Sequence, residues 1–323
     1  MLENNMDIMK NSDTAIQVGT EKGLIFHIIH GSFVDGHGIR TTVFLKGCPL
    51  SCLWCCNPEG QKRHAELKVT SSLCNGCGKC LHICPAAAIQ LSQIPGTDML
   101  RVDRDLCTDC LKCVDVCYTG ALDCFGKYYT VDELFDIVKR DEQYYSTSGG
   151  GVTVGGGEPT LQYRFVRAFL KKCRENYIHT ALDTCGYTIN DEALKALEEA
   201  DLLLFDIKDI ELGQHLIDTS VSNEIILRNL KHLSDMGKPI IIRFPIIPGH
   251  TDFEENIVAT ARLLSGLKSI ERIDLMAYHE YGTVKYGQLG KEYKLDVEIP
   301  GEEQMNQIKE TLESYGLKVQ LGG

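Results

Sequence analysis

The chain has 323 residues, 43% hydrophobic and 24% charged, with a formal charge of −12. That length and balance suit one large globular domain or two ordinary ones around a buried core. They exclude a membrane span, because no run of about 18 apolar residues occurs, and the acidic balance argues against a nucleic-acid partner, whose binding needs a basic face.

Residues 1–22 are polar, lack the apolar stretch of a secretory signal, and are expected to form a loose N-terminal extension. With no export signal, the fifteen cysteines point to a reducing cytosol, where metal sites outnumber disulfides. A cytoplasmic protein is therefore expected. Eleven of the fifteen fall in three tight arrays between Cys48 and Cys117. Cys56, Cys124, Cys173 and Cys185 are scattered, and Cys124 and Cys173 read as small buried hydrophobes.

The first predicted strand, 40–47, runs into GCPLSCLWCC. Here Cys48, Cys52 and Cys55 form C-x3-C-x2-C with no obvious fourth thiol. A cubane held by three thiolates keeps one iron free, and metal sites that do chemistry keep a coordination position open. Two echoing segments follow, CNGCGKCLHICP and CTDCLKCVDVCY, offset by 33 residues. Both spell C-x2-C-x2-C-x3-C, the two-cluster ferredoxin spacing, in which the fourth cysteine of each run serves the other cluster. Cys74, Cys77, Cys80 and Cys117 are thus expected on one [4Fe–4S] cluster, and Cys107, Cys110, Cys113 and Cys84 on a second. Paired cysteines also bind zinc, but eight thiolates in two identical runs suit cubanes better. Residues 66–127 are expected to be an inserted ferredoxin-like electron-transfer domain, set between residues 23–65 and 128–323.

Beyond the insert, strands are predicted at 151–156, 178–184, 201–208, 239–246 and 272–279. Helices are predicted near 130–142, 161–176, 190–200, 222–236, 252–266 and 302–315. Thr130 with Glu133, and Asn190 before Asp191, are cap signals. The strands are apolar with little alternation, as strands covered on both faces are. Alternating units imply right-handed crossovers and an α/β fold, a partial (β/α)6 barrel of parallel strands. Chemistry in such folds sits at the carboxyl ends of the strands. There the sequence places GGGEP (155–159), Asp183 and Thr184, Asp206 and Lys208, Arg243, and His279. Asp206 and Lys208, two apart on a strand, share one face. Arg243 reads equally as partner of a ligand carboxylate or of a neighbouring acid.

C-x3-C-x2-C with Trp54 before its last cysteine resembles the signature of radical S-adenosylmethionine enzymes. DGHGIRTTVFLKGCPLSCLWCCNPEGQ, SGGGVTVGGGEPTLQ, HTALDTCGY, LFDIK and YHEYGTVKYGQLGKEYKL, with the doubled ferredoxin run, resemble glycyl-radical-enzyme activating enzymes over most of residues 22–323. The resemblance implies that Cys48, Cys52 and Cys55 hold a catalytic cluster whose free iron binds S-adenosylmethionine, with Asp183 and Lys208 beside it. Reduction of the bound sulfonium would give methionine and a 5′-deoxyadenosyl radical. Trp54, Cys55, Cys56, Gly156, Gly157, Glu158, Asp206, Ile207, Lys208 and His279 would line the site. Gly157 would let the chain approach the methionine amino group, and DGHGIR (35–40) would seat a glycine loop of the partner. The implied partner is a glycyl radical enzyme, activated without oxygen, and the implied electron source is a donor such as flavodoxin or ferredoxin. Departures from the family pattern are His37 for proline, Gly155 for serine, Ala277 for proline, and Cys56. Competing readings are a radical enzyme acting on a small molecule or RNA, and a ferredoxin-like electron carrier. An activating enzyme needs a wide lateral opening for a peptide loop, which an unclosed barrel supplies.

Overall fold

The computed structural model describes residues 21–92 and 99–322. The extension expected at 1–22 lies almost wholly outside the described residues. An antiparallel hairpin of β1 (Lys22–Ser32) and β2 (Arg40–Leu45) opens the fold. The insert carries β3 (Glu66–Val69), α1 (Lys79–Ile83), β4 (Ile89–Leu91), β5 (Leu100–Val102) and β6 (Leu122–Phe125). After β7 (Lys127–Thr130) come α2 (Val131–Val138) and α3 (Glu142–Ser148). The barrel units follow: β8 (Gly151–Gly156) with α4 (Tyr163–Glu175), and β9 (His179–Thr184) with α5 (Asp191–Glu199). Next are β10 (Leu202–Asp206) with α6 (Leu212–Thr219) and α7 (Glu224–Asp235), then β11 (Ile240–Ile246) with α8 (Glu254–Ser265). The last elements are β12 (Ile270–Ala277), α9 (Thr283–Gln288), α10 (Glu302–Glu313) and β13 (Val319–Leu321).

Nine strands make one sheet in the order β13-β12-β11-β10-β9-β8-β2-β1-β7. The six predicted strands are its central six, paired parallel throughout. β7 and β13 end the sheet without pairing to each other, so the barrel is open at the side. Three strands were not anticipated. β13 adds parallel to β12, and β1 and β7 extend the other edge antiparallel. β7 and β13 are too short for a period to register, and β1 is buried only at residues 23–25 and at Ser32. Helix 130–142 proves to be two helices, and the short α6 and α9 carried no legible period. The two cap signals are realised. Thr130 and Glu133 form a reciprocal capping box on α2, and Asn190 accepts two backbone N–H bonds at the start of α5.

Along each central strand the residues alternate between two environments. One set (among them Val43, Val154, Leu182, Phe205, Ile242 and Leu275) joins the main core under the helices. The other set lines the barrel. Its floor is a small apolar cluster of Ala181, Leu202, Leu204 and Ile241. Above the floor the lining turns polar, with Asp206, Arg243 and Asp274 side by side in the strand register. The expectation of strands apolar on both sides therefore holds only for the helix side and the floor.

The insert has its own core, built around Leu67, Ile89, Leu100 and Leu122 with Cys80 and Cys113. Buried polar bonds tie it to the barrel. Lys46, fully enclosed just past β2, pairs with Glu66 of β3 at 2.9 Å and also donates to the Glu59 carbonyl. Arg104 donates to the Leu67 carbonyl at 2.9 Å and to the Gln288 carbonyl at 2.8 Å, joining the insert to α9. Among the described residues no helix is long and apolar enough to cross a membrane.

Candidate functional site

The loop carrying Cys48, Cys52 and Cys55 leaves the carboxyl end of β2 and is held from both sides. The Ser51 and Leu53 N–H groups donate to the Thr219 and Asp218 carbonyls at 2.9 and 3.0 Å. These carbonyls belong to the last turn of α6, where no intrahelical donor remains. On the other side, Tyr286 of α9 donates to the Cys55 carbonyl at 3.0 Å. Lys285 donates to the Cys56 carbonyl and to Asn57 Oδ1, and pairs with the buried Glu59 at 2.8 Å. Burial pushes the Cys48 and Cys52 thiols above their usual range and the Cys55 thiol up to about 11. Cys52 adds to the effect at Cys48 and Cys55, so the thiols sit close enough to feel one another, while Lys208 opposes it at Cys52 and Cys55. Metal binding needs the thiolates, so loading such a loop releases protons.

The polar groups expected at the strand ends converge. Asp206 and Lys208 meet at 3.3 Å. Burial works against the Lys208 charge, but the adjacent Asp206 carboxylate outweighs it and holds the ammonium charged. Arg243 takes the second of its two readings, the neighbouring acid. It bridges Asp35 at 3.0 Å and Asp183 at 3.1 Å. Asp35, from DGHGIR, turns inward and also accepts hydroxyl bonds from Ser32 and Thr42. Burial raises the Asp183 carboxyl to about 7 against the pull of Arg243, with Asp206 and Asp35 adding to the rise. The folded state therefore holds this proton more tightly than the unfolded chain, whose value is 3.8. Stability from this group is complete below the unfolded value and is lost as pH rises to the folded one. Relative to wild type, Asp183→Asn should gain stability progressively between about pH 4 and about pH 7, read from urea midpoints.

Three polar atoms here are buried without a hydrogen-bond partner: Asp183 Oδ1, Arg243 Nε and His279 Nδ1. The His279 ring stacks on Tyr281 with centroids 4.5 Å apart. Orphaned buried polar groups are costly and uncommon. Several at neighbouring strand ends fit a site completed by a polar ligand, as the amino and carboxylate groups of S-adenosylmethionine would complete it.

In the insert, Cys74, Cys77, Cys80 and Cys117 line one cavity, and Cys84, Cys107, Cys110 and Cys113 line another. These are the crossed sets expected from the spacing, and they fit two cubanes. Backbone N–H groups of Leu122 and Ala88 already point at the Cys117 and Cys84 sulfurs, at 3.2 and 3.4 Å. Such bonds tune cluster sulfurs. Among the described residues no three His, Cys, Asp or Glu side chains converge on a single ion.

Several residues expected to line the ligand also have structural duties. A Cβ on Gly157 would lie 2.2 Å from the Gly47 carbonyl oxygen and 2.9 Å from that of Gly60. Its missing side chain allows the close approach of two backbone segments. Gly157→Ala should accordingly destabilise the fold by roughly 3 kcal/mol, the upper end for overpacking, in chemical denaturation. Gly156 adopts φ +93° against Phe44, and Gly155 leaves the room that Asp183 occupies. The Glu158 carboxylate is saturated by Thr184, the Cys185 N–H and thiol, and the Thr160 N–H. The Ile207 side chain is buried in the helix-side core. Cys173 is a core residue, Cys124 is half-buried, and Cys56 is exposed beside the loop. Lys285, Tyr286 and Asp218, which hold the loop, had no assigned role in the sequence. Of these, only Lys285 and Tyr286 lie in a stretch quoted for the family resemblance, YGTVKYG.

Fold and thiol loop together are those of the radical S-adenosylmethionine class. The chain matches the Radical SAM superfamily over residues 115–264 and a 4Fe-4S dicluster domain over residues 73–122. A radical SAM methyltransferase from Sphaerobacter thermophilus superposes with a TM-score of 0.52 at 13% identity, covering 87% of this chain and 66% of that one. That likeness is one of fold. Over 281 residues the chain is 41% identical to the choline trimethylamine-lyase activating enzyme of Oleidesulfovibrio alaskensis, covering 85% of this chain and 89% of that protein. It is 39% identical to the trans-4-hydroxy-L-proline dehydratase activating enzyme of Clostridioides difficile, covering 93% and 99%. The chain belongs to the glycyl-radical-enzyme activating enzymes of the radical SAM superfamily.

Proposed function

We propose that the chain activates a glycyl radical enzyme by using S-adenosylmethionine to place a radical on one of that partner's glycines. When bound, a [4Fe–4S] cluster with one iron free of protein ligands supplies the single electron that splits S-adenosylmethionine into methionine and a 5′-deoxyadenosyl radical. Cys48, Cys52 and Cys55 would hold that cluster. Asp183, Asp206, Lys208 and His279 would surround the methionine part, and Trp54 and Cys56 would flank it. Asp35, anchored by Arg243, would shape the open side through which a glycine loop enters. The eight insert thiols would hold two further [4Fe–4S] clusters, giving three in all. Electrons would come from a small donor protein such as flavodoxin or ferredoxin. The fifteen free thiols suit the reducing cytoplasm.

The observation that carries this reading is the three-thiol loop opening onto orphaned polar atoms at the strand ends. The test is anaerobic. The chain is loaded with iron and sulfide, reduced, and mixed with S-adenosylmethionine and candidate glycyl radical enzymes. A glycyl radical signal in electron paramagnetic resonance, with 5′-deoxyadenosine released, is expected with one partner. Failure to form 5′-deoxyadenosine at all would refute the reading.

A further inference from the structure

Trp54 is the sole tryptophan of the chain, and it lies between the second and third thiols of the loop. Its ring meets His250 edge to face, with centroids 6.0 Å apart. His250, in the turn between β11 and α8, has Nδ1 2.7 Å from Asp218 Oδ1. The Asp218 side chain is 0% exposed and that of His250 is 20% exposed. The other Asp218 oxygen accepts from Gln214 Nε2 at 3.0 Å. The backbone carbonyl of Asp218 accepts the Leu53 N–H at 3.0 Å. One residue thus grips the loop twice, by its main chain at Leu53 and through His250 at Trp54. A buried carboxylate needs hydrogen-bond donors, and Asp218 spends one of its bonds on orienting a ring that packs on the loop.

We propose that His250 and Asp218 are positioning residues that fix the Trp54 ring, and with it the turn bearing Cys52 and Cys55, in the orientation that receives S-adenosylmethionine. Only the kinetic consequence rests on the function proposed above. The clamp itself is a property of the folded chain.

The full, cluster-loaded chain is handled without oxygen, and tryptophan is excited selectively so that emission reports Trp54 alone. His250→Ala removes ring and hydrogen bond. His250→Phe keeps a ring but not the bond. His250→Ala should shift Trp54 emission to the red, open it to a neutral quencher, and speed amide exchange in residues 51–55. His250→Phe should restore the quencher protection in part but leave the exchange fast. The KM for S-adenosylmethionine should rise on the order of tenfold in His250→Ala, as for loss of outer-shell partners, with kcat for 5′-deoxyadenosine changed far less. Unchanged emission, quenching and exchange in folded His250→Ala would overturn the proposal. So would a lower unfolding midpoint with Trp54 emission and KM as in wild type, since that marks a merely structural contact. If wild type itself cleaves no S-adenosylmethionine, the function fails while emission and exchange still decide the clamp.

Discussion

Cys52→Ala should abolish formation of 5′-deoxyadenosine from S-adenosylmethionine while the chain still folds and still carries iron. Three thiols are the whole protein share of the loop's ligand set, so losing one leaves too few to hold a cubane. Iron content should fall from about 12 to about 8 per chain, because the insert sets use other cysteines. Cys117→Ala is the informative contrast. It breaks one of the two crossed insert sets and should lower iron comparably, yet leave cleavage intact when a small chemical reductant supplies the electron. Iron analysis and product chromatography read both. Full cleavage by Cys52→Ala would mean that the chemistry happens elsewhere in the chain.

Arg243→Met should strongly destabilise the barrel while sparing every cysteine. The guanidinium, itself buried, lies between two partly buried carboxylates, Asp35 and Asp183, and also donates to the Val34 carbonyl at 2.7 Å. Removing one member of a buried ionic set strands the charge left behind, here that of Asp35, and costs about 3–5 kcal/mol. Urea denaturation should show a lower midpoint with an unchanged slope. Adding Asp35→Asn to Arg243→Met should recover part of the loss, since the carboxylate left stranded by the missing guanidinium is then gone. No recovery would mean that Arg243 matters by packing alone. The same change frees the 33–38 segment from its inner anchor, so a partner's glycine loop should be seated less well even where the fold survives.

The sequence made the framework of the molecule legible for a physical reason. Parallel strands under helices are long apolar runs, and each of the six stood out between helical periods. The thiol sets were legible because ligand spacing along a turn is fixed by the metal cluster, not by the rest of the fold. What stayed hidden depended on contacts distant in sequence. Nothing near Gly157 reveals that its neighbours are the carbonyls of residues 47 and 60, so its packing duty could not be read from the sequence. Glu158 looked available because its partners, Thr184 and Cys185, arrive from the next strand. Arg243 could not be assigned a partner until Asp35 was seen to fold inward from the β1–β2 turn. α6 and α9 were missed as short helices, and with them went Asp218, Lys285 and Tyr286, the residues that hold the thiol loop in place.

The enclosed ammonium at position 46 bears on how the insert can be handled. Its carboxylate partner is the first residue of β3, so the barrel's interior charge balance is completed by a group that belongs to the neighbouring module. Excising that module to obtain a minimal catalytic barrel would strand an unmatched cation two residues from the first thiol. A shortened chain would have to replace Lys46 by an apolar residue at the same time, and the two modules are therefore better regarded as one electrostatic unit than as a catalytic body with a detachable accessory.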